Sequence, residues 1–148
     1  MLFKLLLVLH LVGASVWVGG HLVLALMVLP KALKKRDHTI VANFEAIFEH
    51  IGVPALLLQI ATGIWMAYNY TENLFDVFDF APGPHAMIAL KLILLLVTVV
   101  IAVHARIRLI TRLEERNLNF LAAHIITITL LGVSMLVFGA GVRLGGWW

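Results

Sequence analysis

The run LHLVGASVWVGGHLVLALMVLP, residues 9–30, contains no Asp, Glu, Lys or Arg, yet it carries two histidines, His10 and His21. Extended back to Leu5, the uncharged stretch exceeds the ~20 residues that cross a ~30 Å hydrocarbon core. Inside a bilayer an open chain can take only a helical course, because each backbone amide must find its partner within its own segment. The stretch follows a single early lysine, Lys4, outlasts the apolar region of a signal peptide and lacks a small-residue cleavage site in the usual place. It therefore reads as a retained first span.

Three further apolar segments follow, at 44–68, 86–105 and 120–142. With the first they predict helices over about 5–29, 40–69, 86–110 and 118–142, in a single membrane domain covering 1–148. Apolar residues make up 62% of the chain and charged residues 13%, with a mean hydropathy of +1.02. A soluble domain of this size could not hide so much apolar surface, whereas lipid solvates it. Short connections after the first and third spans force antiparallel neighbours. The expected fold class is all-α integral membrane, a four-transmembrane-helix antiparallel up-down bundle.

Charge gives the bundle a direction. Lys31, Lys34, Lys35 and Arg36 lie between spans one and two, and Arg106, Arg108, Arg112 and Arg116 between spans three and four. The other side carries Lys4 and Arg143 with the acids Glu72, Asp76 and Asp79. Positive residues stay in the cytoplasm, so the expectation is a multi-pass protein of the bacterial inner (plasma) membrane with both termini periplasmic. Phe75, Phe78, Phe80, Trp147 and Trp148 suit an interfacial aromatic belt on that outer side. Ser15, Gly19, Ala55, Gly63, Ala67, Gly132 and Gly139 supply small residues for close helix packing. Pro54 is expected to kink the second span. Residues 39–50 read as amphipathic, with Glu45 and Glu49 on one face and Phe44, Ile47, Phe48 and Ile51 on the other.

The chain has seven histidines and no cysteine, which excludes thiolate and iron–sulfur centres. No basic aromatic patch, phosphate loop or Ser–His–Asp set is legible, so neither nucleic acid nor soluble-enzyme chemistry is indicated. Five histidines, His10, His21, His50, His104 and His124, lie in or at the edge of the spans, where an ionisable group is costly and usually has a partner or a role. His10 and His21 are close to three turns apart, about 16 Å on one face; His124 and Met135 have the same spacing. Two layers result. The inner one draws on His21, His50, His104 and His124, one from each helix. The outer one draws on His10 and His85, with Met66, Met87, Met135 and Lys91 nearby. Imidazoles from facing helices can hold one or two haem b groups, with His10, His21, His50, His104, His124 and Lys91 as the cofactor-binding set. Imidazole with thioether equally suits copper, with His10, His21, His50, His104, His124, His85 and Met135 as the metal set. The bland alternative is histidine as interhelical hydrogen-bonding glue.

The run 9–30, through His10, Trp17, Gly19, Gly20 and Pro30, resembles the first helix of the CopD copper-resistance membrane domain. The third span, ALKLILLLVTVVIAVHAR with Lys91 and His104, resembles the corresponding helix of CopD and of its HemJ relatives. The segment VPALLLQIATGIWMA, through Pro54, Gly63 and Trp65, fits the same pattern. The HemJ resemblance would imply haem held by His10 and a haem-dependent membrane oxidoreductase. The chain has VLPKALKK where a HemJ first helix closes with an aromatic, arginine-containing segment, which favours the CopD side. Three functions follow as expectations: a b-type haem electron-transfer protein working with a quinone or periplasmic redox partner, a copper-binding or copper-uptake protein, and a cofactor-free membrane assembly subunit. The lipid bilayer is the expected surrounding in each, with a homodimer through a small-residue face as a further partner and no nucleic acid.

Overall fold

A computed structural model describes residues 1–71, 73–109 and 117–145, with only the backbone described for Arg108 and Leu109. The expectations placed on Glu72, Arg112, Arg116, Trp147, Trp148 and the Arg108 side chain fall outside that description. Among the described residues all regular structure is helical. The order is α1 (Leu2–Val23), a π-helical stretch (Leu24–Val28), α2 (Leu29–Lys35), α3 (Thr39–Ala67), a short 3-10 helix (Leu74–Asp79), α4 (Pro84–His104), a second π-helical stretch (Ala105–Leu109) and α5 (Leu118–Leu144).

Four helical paths are long and apolar enough to cross a bilayer: Leu2–Lys35, Thr39–Ala67, Pro84–Ile107 and Leu118–Leu144, of 34, 29, 24 and 27 residues. Their outward faces confirm the solvent they are built for. Leu26, Leu57, Leu96 and Leu130, one per span, are 60–71% exposed, a disposition that water would penalise and lipid does not. The protein is thus a multi-pass, all-helical membrane protein.

The helices outrun the apolar segments because backbone bonding continues where hydropathy stops. The first path carries on through Lys31, Lys34 and Lys35, whose long stems lie along the helix while their charges reach water. Pro30 has no N–H to give Leu26 and crowds the carbonyl there, and the preceding turn widens to π geometry. Arg36, in the left-handed region at φ 51°, ends α2, with the Asp37 amide donating back to the Ala32 carbonyl. Asp37 then caps the next helix, accepting from the Thr39 amide at 2.9 Å and the Thr39 hydroxyl at 2.6 Å. Those bonds hold its carboxyl below the usual carboxylate range. Helix α3 runs unbroken through Pro54.

α1 packs along α3 and α4 along α5; α1 touches α5 more lightly, and direct contact between α3 and α4 is slight. Phe3 meets Trp65 and Tyr70 at one end, where the Gly145 carbonyl also lies beside Gly83. We call this the termini end. His104 meets His124 at the other, the loop end. The core falls into three layers: Leu24, Leu29, Val41 and Leu121 at the loop end, Trp17, Val18, Ala55 and Ile128 in the middle, and Ala67, Val77, Ile88 and Ala89 at the termini end. Val77, fully buried on the 3-10 helix, plugs that last layer, while Phe75, Phe78 and Phe80 stay exposed, as an interfacial belt requires. The close-packing glycines of α1 are Gly13, against Gln59 and the Ala55 carbonyl, and Gly20, against Phe48. Gly19 has nothing within 4 Å and Ser15 is exposed, so the small-residue face expected at Ser15 and Gly19 is turned away from the bundle.

Candidate functional site

Among the described residues two open cavities reach into the bundle, one on either side of the middle core layer. The first, of about 290 Å³, lies toward the termini end and is lined by His10, Gln59, Met66, Lys91, Met135 and Arg143 among apolar walls. The second, of about 320 Å³, lies toward the loop end and is lined by His21, Glu45, Phe48, Glu49, Arg106 and His124. Trp17 and Leu56 line both. Trp17 is 4% exposed and seated against Gly132, where a Cβ would come within 3.1 Å of its ring. The indole is the partition between the two.

The histidine hydrogen bonds fix which ring nitrogen carries the proton. In His21 and His124, Nδ1–H donates to the carbonyl one turn back, Trp17 at 2.9 Å and Phe120 at 3.0 Å. A carbonyl only accepts, so in each neutral ring the lone pair stands on Nε2. Thr62 donates its hydroxyl proton to the Leu58 carbonyl at 2.6 Å, so its oxygen accepts from His10 Nδ1–H at 2.9 Å and leaves His10 Nε2 open. His104 Nδ1 lies 3.1 Å from His124 Nε2, with the rings stacked at 5.2 Å and 22°. Since His124 Nε2 has only a lone pair, His104 is the donor. An imidazole anchored through one nitrogen, with the other presenting a lone pair, is the form that binds metals.

His50 is exposed, its Nδ1–H donating to the Ala46 carbonyl at 2.9 Å, and it lines neither cavity. His85 donates from Nε2 to the Tyr70 carbonyl at 3.0 Å and ties the loop to the start of α4. His21 and His124 share the loop-end cavity, and His104 stacks on His124 from outside it. His10, Lys91, Met66 and Met135 share the termini-end cavity, whereas Met87 is fully buried in packing. Among the described residues no three His, Asp or Glu side chains converge on one point. The four-histidine inner layer is thus a cluster of a stacked pair and one cavity neighbour, with His50 facing away.

Electrostatics separates the cavities further. The termini-end cavity carries Lys91 and Arg143 and no carboxylate. The loop-end cavity carries Glu45 and Glu49, with Glu49 paired to Arg106 across from α3 to the far end of the third span. The sequence pattern had Glu45 and Glu49 opposite the apolar face of α3. In the structure that face is divided: Phe44 and Phe48 pack into the bundle beside the cavity-lining Glu45 and Glu49, whereas Ile47 and Ile51 are 75% and 59% exposed. Lipid rewards that orientation as water would reward its reverse. A pair of acids four residues apart in a membrane helix was the signal for this, once an apolar surroundings is taken as the reference.

A family model described as copper resistance protein D matches residues 42–144. No curated protein and no solved structure matches the chain. The matched stretch takes in nearly all of α3 and the whole of α4 and α5, so it includes both members of the stacked histidine pair and Lys91, while the first span with His10 and His21 precedes it.

Proposed function

Because the chain belongs to the copper resistance protein D family, we propose that it binds copper as cargo inside the bundle, at the loop end. The observation that carries this reading is the His104–His124 pair. Its facing nitrogens, 3.1 Å apart, can both turn lone pairs to one ion once the His104 proton moves from Nδ1 to Nε2, a tautomer change that releases no net proton. Two imidazoles suit Cu(I), which accepts low coordination, and the nearby cavity offers His21 Nε2 and the carboxylate of Glu45 as further stations. The termini-end cavity, flanked by two cations, repels a metal ion. The copper reading accordingly rests on His21, His104 and His124 rather than on His10, His85 and Met135.

In this reading the protein sits in a bacterial inner membrane with its termini periplasmic, as the distribution of Lys and Arg supports. The electron-transfer reading, with haem b held between facing imidazoles, is less well served. Axial ligands must oppose each other across the macrocycle, and the two imidazoles that meet here are stacked.

The test is a Cu(I) titration of the purified protein against a chromogenic chelator. One ion per chain is expected, with affinity falling about 10–100-fold on replacing either His104 or His124 by Ala and unchanged in His50→Ala. Equal affinity in the double variant would remove the reading. A stoichiometric Soret band in the protein as purified would replace it with the haem one.

A further inference from the structure

The termini-end cavity has a chemistry of its own. Lys91 stands two turns into α4 from Pro84, about 10 Å along the axis, with its Nζ against Gly139, where a Cβ would lie 3.1 Å away. No described residue gives this ammonium a hydrogen bond or an ion pair. A lysine near a span end can carry its charge out to the headgroups; this one is turned to a cavity wall instead. There it is near enough to His10 for the two to interact electrostatically. An ammonium held at this depth without an acceptor is costly and calls for a counter-charge.

The walls describe the rest of the occupant. Lys91 and Arg143 are the charged residues lining the cavity, and both are cations. Apolar side chains make most of the remainder. Leu11, Ile64 and Leu136 line the cavity and are also 53%, 37% and 43% exposed on the outer surface, so the space opens sideways to lipid. Arg143 lies one turn beyond Gly139, about 6 Å nearer the termini end than the level of Lys91. A phospholipid phosphate, fixed at headgroup level, would meet Arg143; a single-chain acid dissolved in the membrane can carry its head down to Lys91.

We propose that the termini-end cavity binds a long-chain organic carboxylate from the bilayer, its head on Lys91 and its apolar body along the Leu11, Ile64 and Leu136 opening. Copper has no part in this site, whose residues lie on the other side of Trp17. The carboxylate is the acceptor that Lys91 lacks, and the Gly139 seat holds the ammonium at the cavity wall to meet it. The side-chain amide of Gln59, which also lines the cavity, supplies a further donor near the head.

The experiment is a binding titration of the full chain in lipid nanodiscs with palmitate bearing a fluorophore at its tail end, beside the matching alcohol. Saturable binding of the carboxylate is expected, with the alcohol ~10-fold or more weaker, the loss of one charge-assisted contact. Lys91→Met should weaken the carboxylate to the level of the alcohol, and Lys91→Arg should retain most of it. Gly139→Leu, which fills the seat and keeps the charge, should abolish binding of both. Equal binding of acid and alcohol, or an unchanged affinity in Lys91→Met, would overturn the proposal. So would displacement of the probe by a phosphatidate that unlabelled palmitate does not match, which would make the site one for lipid headgroups.

Discussion

Phe48 sits between two glycines on neighbouring helices: a Cβ at Gly20 would lie 2.1 Å from its ring and one at Gly52 would lie 2.7 Å from it. The ring also stands edge-on to His21, so its position sets the wall of the loop-end cavity. Gly20→Ala must push the ring aside and should cost ~1–3 kcal/mol, read as a lower thermal midpoint of the purified protein. Shortening the ring in Gly20→Ala/Phe48→Leu should recover part of that loss, a coupling between contacting sites. Trp17→Ala would merge the two cavities and, as a large-to-small change in a packed layer, should cost ~3–5 kcal/mol. A smaller loss than for Gly20→Ala would show that the partition is soft. The histidines were legible as residues out of place in hydrocarbon, since their cost there depends on type and depth alone. Which of them meet was not. The His104–His124 stack depends on the adjacency of α4 and α5, and His50 is exposed because the rotation of α3 sends Phe48 inward against Gly20.

For elements, the four spans were readable because hydropathy is summed over some twenty residues and needs no partner. Helix rotation was not, because a span in lipid is apolar on both faces and its pattern says little about which face is inside. α3, which sends Glu45 and Glu49 inward and Ile47 and Ile51 outward, is the clearest instance. Ends are set by local chemistry, and there specific outcomes follow. Gly83 begins α4 at φ 100°, beside the Gly145 carbonyl; Gly83→Ala puts a side chain in a conformation L-residues avoid and should cost ~1–2 kcal/mol, seen in thermal melts. Asp37 is the titrating cap. Its folded carboxyl is more acidic than the unfolded one, so its contribution is present above the unfolded pKa and fades as pH falls through the folded value. Wild type should therefore be the more stable of the pair against Asp37→Asn at neutral pH, and the two should converge in acid below the usual carboxylate range. A gap that persists there would assign the cap to something other than charge.

Across the whole molecule, the basic loops at one end and the acidic, aromatic loop at the other predict a single orientation. A phosphatase that works only in the periplasm should be active when fused after Trp148 and inactive when inserted after Arg36. The reverse result would invert the protein and put the histidine pair outside. The pairing of helices carries a consequence for how the chain is made. α1 packs on α3 and α4 on α5, while α3 and α4 scarcely touch beyond the Arg106–Glu49 bridge. Neighbours in sequence are thus neighbours in space within each hairpin, and the two hairpins meet chiefly through α1 and α5. The chain can then be cut between them. Genes for residues 1–72 and 73–148, expressed together, should yield two fragments that co-purify as one bundle, whereas a cut between α1 and α3 should leave fragments that the cell degrades.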